Sequence, residues 1–419
     1  MKKYFLLILA AGLLSWSCEK IDPQVLPEEK AEEETPVQEG PAELVPIELS
    51  KADAAVRDAS NSFGLAVFQK LCALSGGKDV SFSPLSLSLA LAMVAEGAGG
   101  DTWQQFAQVI GWGAATQDEV GGYYQKMVEG LVKADTNVQF TSANSFWAAK
   151  DLTLKPDYLS CLKQYYAAEG YSVNFSDPAT LKQINQWCSD KTDGKIPKML
   201  DALDGQTRLM LINALIFKAP WGGLTWSIKK LREFAGTAGT TKKNFLHAER
   251  RLVYGDYGDF EYVSLPYGNT AYEMDIVFPK AGKAIQDILP TLAFDDFKQA
   301  DTTHVEIYLP KWSTEYSSED NLPKALAALG LTLPFDPVHA NFSGISKESL
   351  YINQILQKVR IYVTEKGTEF AAVTVPILSG SNAPPVIPDK VVLDLNRPFL
   401  YFIRERTSNT LLLAGTLSK

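Results

Sequence analysis

The chain has 419 residues, 46% apolar and 21% charged, with 20 Phe, 17 Tyr and 8 Trp, which is ample for a large buried core and too apolar for a disordered polymer. Forty Lys and Arg stand against 49 Asp and Glu, so there is no basic surplus for phosphate backbones, and composition argues against nucleic acid as a partner. Three His (His247, His304, His339) and four Cys (Cys18, Cys72, Cys161, Cys188) lie far apart in no ligand spacing, which argues against zinc, haem or iron–sulfur sites; no metal or cofactor is expected.

At the start, Lys2 and Lys3 precede an apolar run from Tyr4 to Leu14, too short to span a bilayer but of the length of a secretory signal core. It ends in Leu14-Ser15-Trp16-Ser17-Cys18, which resembles a bacterial lipoprotein signal. Residues 1–17 are therefore expected to be removed and Cys18 to carry lipid, with an ordinary signal peptide as the alternative. Export would place the protein at the cell envelope, surface-exposed or extracellular, touching membrane only through that anchor. Residues 18–50 are expected to form a disordered tether. Between 19 and 49 lie ten Asp or Glu, two Lys and five Pro, a composition that cannot bury enough apolar surface to order itself. The segment carries −8 and residues 1–17 carry +2, so of the net charge of −9 only −3 belongs to residues 50–419. The three cysteines beyond Cys18 are odd in number and read as buried thiols.

Apolar residues at three- and four-residue spacing predict helices over Ala52–Ser75 and Ser83–Gly97, the second opened by Ser83-Pro84 and closed by Gly97-Ala98-Gly99-Gly100. Alternation and aromatic runs predict strands at Val138–Thr141, Leu209–Phe217, Tyr272–Phe278 and Val305–Leu309. A helix follows over Asn321–Leu329, then strands at Gln357–Val363, Val391–Leu395, Phe399–Arg404 and Leu411–Gly415. Helices and strands mix without βαβ regularity, which predicts one α+β domain, residues 51–419, with large antiparallel or mixed sheets.

The stretch from Thr364 to Lys390 is long for a loop in a compact domain, and loops of that length tend to be functional. Its first half alternates Thr, Val and Ala and could pair as a strand; its second half is rich in Pro, Ser and Gly and should stay exposed. An exposed segment able to become a strand is a candidate switch; a plain surface connection is the alternative.

Glu365-Lys366-Gly367-Thr368-Glu369 followed by Phe370 and Ala371-Ala372 resembles the loop hinge of the serpins, protease inhibitors that trap their target by inserting a cut loop into a sheet. Similar to serpin blocks, in the family's order, are Phe82-Ser83-Pro84-Leu85-Ser86, Ile184-Asn185-Gln186-Trp187 with Thr192-Asp193-Gly194-Lys195-Ile196, and Asn213-Ala214 with Phe217-Lys218 and Trp221. Leu265-Pro266-Tyr267, Ala340-Asn341-Phe342-Ser343-Gly344-Ile345-Ser346 and Asn396-Arg397-Pro398-Phe399 follow. The resemblance implies a serpin fold, eight to nine helices around three sheets with an exposed reactive loop. It also implies a monomeric inhibitor of serine or cysteine endopeptidases rather than an enzyme.

It further implies that Ser83, Ser86 and Asn213 hydrogen-bond beneath the central strands, with Gln357 standing where many members carry His, and that Trp221 marks the point of loop entry. Fourteen residues on from Gly367 lies Ser381, which favours Ser381-Asn382 as the bond cut, with Leu378 and Ala383 as rivals. No Lys or Arg occurs between Gly367 and Asp389, so elastase-, subtilisin- or papain-like proteases suit the loop better than trypsin-like ones. Phe370 and Pro376 depart from the small residues expected on the inserting face. A non-inhibitory member serving as a substrate or binding protein is the alternative. A hydrolase is disfavoured, because Ser379-Gly380-Ser381-Asn382 lacks a nucleophile elbow. The basic pairs Lys229-Lys230, Lys242-Lys243 and Arg250-Arg251 read as solvated turn residues.

Overall fold

A computed structural model describes residues 43–293, 300–355, 357–369 and 390–419, apart from the side chains of Lys230 and Glu369. The expected signal, Cys18 and most of the tether lie outside these residues. So do Phe370, Ala371, Ala372, Pro376, Leu378, Ser381, Asn382 and Ala383.

The body opens with α1 (Lys51–Leu74), started by a capping box in which the Asp53 N–H donates to Ser50 Oγ (3.1 Å) and the Ser50 N–H to Asp53 Oδ2 (3.0 Å). Its apolar stripe buries Val56, Phe63, Val67, Phe68 and Leu71. Strand β1 (Ser81–Phe82) leads into α2 (Pro84–Ala95), whose N-cap Ser83 accepts from the Ser86 N–H and whose first residue is proline. Helix α2 is apolar on all sides and buried along nearly its whole length, as befits a helix at the centre of the fold.

Helices α3 (Gly100–Ile110) and α4 (Gln117–Lys133) follow, then β2 (Gln139–Ala149), α5 (Pro156–Tyr166), β3 (Glu169–Val173), α6 (Pro178–Lys191) and β4 (Leu209–Pro220). Strands β5 (Ser227–Gly236), β6 (Gly239–Asp256), β7 (Phe260–Tyr267) and β8 (Tyr272–Pro279) run in hairpin succession. After the short α7 (Ile285–Ile288) come β9 (Asp301–Pro310), β10 (Trp312–Ser317), α8 (Leu322–Ala328) and β11 (Lys358–Val363). The chain closes with β12 (Gly367–Glu369), β13 (Val391–Asp394), β14 (Phe399–Glu405) and β15 (Thr410–Leu417).

Two sheets result. One is six-stranded, in the order β10-β11-β12-β4-β2-β3, antiparallel except for β2 with β3. The other runs β1-β15-β14-β8-β7-β6-β9-β13, with β5 on β6. The 18-residue β6 changes partner along its length, so two of the three expected sheets merge into one continuous ladder. Helix α2 contacts β4 of the first sheet and β15 of the second.

The folded body starts earlier than composition suggested. The Ile47 N–H donates to Thr407 Oγ1 (2.9 Å), the Val45 N–H to the Ala134 carbonyl (3.4 Å), and the Ile47 side chain is buried beside Gly130 of α4. The acidic average over residues 19–49 hid this apolar residue near its end. Cys72, Cys161 and Cys188 are free thiols; Cys188 is buried, while Cys72 and Cys161 are half-buried rather than fully enclosed.

At the end of α2 the Glu96 carboxylate accepts from the Tyr166 hydroxyl (2.8 Å) between α2, α4 and α5. Burial pushes its pKa up to about 7; the Tyr166 bond opposes this and the Asp118 charge reinforces it. The folded state thus keeps a proton that the unfolded chain loses near its ordinary value of 4.5, so stability falls as pH rises from about 4.5 through about 7. Glu96→Gln removes the titration while keeping an acceptor for Tyr166. In thermal melts it should stabilise the protein at pH 8.5 and give no gain at pH 4.5; equal effects at both would contradict the assignment.

Candidate functional site: the opening of the six-stranded sheet

Strand β11 ends at Val363, and the chain turns back at once. The Thr364 N–H donates to the Gly367 carbonyl (2.9 Å) and the Gly367 N–H to the Thr364 carbonyl (3.3 Å), so Gly367–Glu369 returns antiparallel as β12. It lies between β11 and β4, with Thr368 opposite Val363 on one side and Ala219 on the other. Within the segment Glu365–Ala372, whose composition allowed a strand, Gly367–Glu369 thus already form one, and Thr368 is fully buried. Local propensity could not disclose this, because the partner strand lies about 150 residues away in sequence.

Four contacts hold it there. The Thr368 hydroxyl is hydrogen-bonded to that of Tyr267. Tyr267 stacks on Trp221 at 4.7 Å and 12° between planes, and the Trp221 indole Nε1–H donates to the Thr364 carbonyl (2.8 Å). The Trp221 backbone N–H reaches the Lys366 carbonyl (3.4 Å). Glu365 pairs with Lys311 just after β9; burial, the largest single effect, works to raise the Glu365 pKa, but the bond to Lys311, a backbone hydrogen bond and the Lys311 and Lys366 charges together hold the carboxyl below its usual range. At Gly367 the backbone passes so close to β4 that a Cβ would overlap the Ala219 carbonyl oxygen and the Pro220 Cα, so only glycine fits.

Below the hinge, no ladder joins β11 to β4 among the described residues. The facing edges of the two strands thus have no described partner there, and we call the space between them the slot. Its floor carries the four polar residues that the sequence singled out, brought together by α2. The Ser83 N–H donates to Gln357 Oε1 (2.7 Å), and Gln357 Nε2 donates to the Ser83 carbonyl (2.9 Å). The Ser86 hydroxyl donates to Asn213 Oδ1, while Asn213 Nδ2 donates to Ser142 Oγ (3.0 Å) and Asn144 Oδ1 (2.7 Å). Every polar group here thus has a partner, as burial requires. Further down, β4 and residues 349–355 wall a cavity of about 180 Å³.

Helix α6 packs against β3 and β4, and the chain after it reaches from β2 to β11. Glu169 of β3 accepts from Lys191 (2.6 Å), Trp187 (2.8 Å) and Tyr171 (2.7 Å), and these bonds, the lysine's first, hold its pKa at about 2. Beyond α6, Asp193 accepts from Gln139 of β2 (3.2 Å), Lys195 lies over the Tyr362 ring (5.9 Å) and the Lys198 carbonyl accepts from Lys358 (3.1 Å). Tyr267, Lys311 and Glu169 were not recognised as site residues in the sequence. Tyr267 sat within a recognised block; for Lys311 and Glu169 no local pattern could have signalled a partner so distant.

Among the described residues, the position between β11 and β4 is occupied by Gly367–Glu369 alone, at the root of the stretch that runs to Lys390. The family model Serpin (serine protease inhibitor) matches residues 58–419, and the chain belongs to the serpin family. Among curated relatives, human Serpin B8 is 29% identical over 86% of this chain and 98% of its own. Iripin-2 of Ixodes ricinus is 31% identical over 88% of this chain and 95% of its own. Among solved structures, the thermophilic serpin tengpin in its native state superposes with a TM-score of 0.77 at 28% identity, covering 91% of this chain and 97% of that one.

Gly367→Ala should expel the hinge from the top of the slot at a cost of about 1–3 kcal/mol, the usual range for overpacking. Hydrogen exchange should then show the Thr368 and Glu369 amides losing protection while β2 keeps its own. Unchanged protection would contradict the close approach to Ala219.

Proposed function

We propose that the protein inhibits serine-type endopeptidases, and cysteine-type ones as further targets, by loop insertion and covalent trapping. The observation that carries this reading is that Gly367–Glu369, at the root of the long loop, stand as a strand between β11 and β4, while among the described residues nothing pairs with the facing edges of those strands further down. The protease nucleophile attacks the carbonyl of the residue before the cut. The bond to the next residue breaks, its amine leaves with a proton, and an ester joins loop to protease. The freed hinge side then zips into the slot. About fourteen residues at roughly 3.3 Å each give a strand of about 46 Å, enough to carry the protease from one end of the domain to the other. Distortion of the protease stalls release of the ester, since loss of one oxyanion donor alone costs about 10²–10³ in rate.

The loop composition favours elastase-, subtilisin- or papain-like targets, with Ser381-Asn382 as the favoured bond. We place the protein at the envelope through lipid on Cys18, acting as a monomer. Phe370 and Pro376 favour a second reading, a serpin that is cut without trapping. Family membership alone leaves both open.

Incubation with a panel of such proteases should give an SDS-resistant complex whose released fragment reports the bond cut. Cleavage of the loop with full protease survival would favour the second reading. Thr368→Arg puts a charge on the fully buried face of β12. It should leave loop cleavage intact and reduce the trapped fraction at least tenfold.

A further inference from the structure

We propose that the outer face of β5, β6, β9 and β13 carries an ionic clasp on β13, in which Lys390 is the counter-ion at neutral pH and His247 and His304 take its place in acid. The inference goes beyond the inhibitor reading and does not depend on it. Strand β13 has four residues and, among the described residues, pairs only with β9; parallel pairing of this kind is slightly weaker per residue than antiparallel. It is also the strand into which the chain runs after the long stretch that leaves β12, so whatever holds β13 fixes the far end of that stretch.

Side chains alternate along β6 and β9. Ala248, Val305 and Ile307 are buried, while His247, Glu249 and Arg251 face outward beside Tyr308, Glu306 and His304. The register sets Glu249 directly opposite Glu306, a like-charge pair that destabilises the ladder unless cations are supplied. Three groups can supply them. Lys390 reaches Glu306 at 2.8 Å and, across β9, Glu249 at 3.4 Å. His247 Nε2 lies 3.0 Å from Glu306 Oε1, and His304 Nε2 lies 2.9 Å from Glu249 Oε1. At the other end of β13, Arg232 of β5 crosses the Tyr308 ring at 4.0 Å and donates to Asp394 (2.6 Å). Both bridges span β9, so β13 is tied to two strands with which it does not pair.

The other polar groups on this face leave the histidines as its switching members. Ser227 is hydrogen-bonded to His247 Nδ1 (3.2 Å), and Lys229 lies two residues further along β5, opposite Phe245. Arg251, opposite His304, donates to the Thr302 carbonyl (3.2 Å), and the Tyr308 hydroxyl donates to Glu306 (2.7 Å). Against a lesser effect of burial, bonds from Lys390 first and then from Tyr308 and His247 hold the Glu306 pKa at about 2. The bond to His304, and after it the bond to Lys390, holds Glu249 below its usual range. Both carboxylates therefore stay ionised near neutral pH, and Glu306 raises the pKa of Lys390, which stays a cation. Histidine ordinarily changes charge at about pH 6.5. Above that pH two carboxylates share Lys390, and its loss leaves two facing negative charges. Below it each carboxylate has an imidazolium of its own, and loss of Lys390 leaves the four groups balanced. The histidine support is thus present in acid and lost as pH rises.

The test follows the Leu393 and Leu395 amides of the full chain by hydrogen exchange, with each rate divided by the intrinsic rate at that pH. The Leu395 N–H donates to the Tyr308 carbonyl (3.0 Å), and Leu393 is the next donor along the same edge. Lys390→Met should lower their protection about fivefold or more at pH 8.5 and less than about twofold at pH 5.5, while the Tyr401 amide of β14 keeps its own. Adding His247→Gln and His304→Gln, which keep a donor without the charge, should make the loss equal at the two pH values. Equal losses with the histidines present would overturn their part in the clasp. No loss at pH 8.5, or a loss that Tyr401 shares in full, would overturn the clasp itself.

Discussion

Unpaired strand edges are the constraint on which this structure depends. Backbone N–H and C=O groups kept from water without partners are costly, and in the six-stranded sheet no strand among the described residues lies between β4 and β11 below Glu369. Closing them on each other would satisfy the ladder but would expel β12. The fold instead keeps them apart with a wedge at the top, a polar floor in the middle and a cavity at the bottom. The segment after α6 lies over the gap. Each contact is modest by itself: a hydroxyl pair at Tyr267 and Thr368, an ion pair at Lys311 and Glu365, a cation over Tyr362. Together they hold β12 between β11 and β4.

Much of this was legible in the sequence, for physical reasons. Periodicity revealed α1 and α2, because each has a capping residue and an apolar pattern that needs no distant partner. Alternating aromatic strands revealed the sheets. Glu365-Lys366-Gly367-Thr368-Glu369 stood out by its resemblance to a serpin hinge, and the structure supplies a reason for one of its letters, since Gly367 lies where a Cβ would overlap Ala219. The polar group of Ser83, Ser86, Asn213 and Gln357 was also legible as a set, and the structure brings the four together.

What the sequence could not disclose was non-local. Thr368 reads as the start of an exposed loop until Val363 and Ala219 are seen on either side of it. Lys311 follows β9 with no local sign that it will meet Glu365, and Glu169 gives none that three residues converge on it. Ile47 was hidden inside an acidic, Pro-rich average. Composition describes a segment, whereas docking depends on one or two apolar side chains within it.

The central claim is that the slot is open in the native protein and becomes filled when the loop is cut. In β4 the odd-numbered amides face the slot, as the Trp221 bond to Lys366 indicates, and the even-numbered ones face β2. Hydrogen exchange on Leu211, Asn213 and Leu215, measured before and after a single loop cut, tests this directly. The account predicts fast exchange in the intact protein and strong protection after the cut, with Ile212 and Ala214 protected throughout. Strong protection of the odd-numbered amides before the cut, or none gained after it, would contradict it.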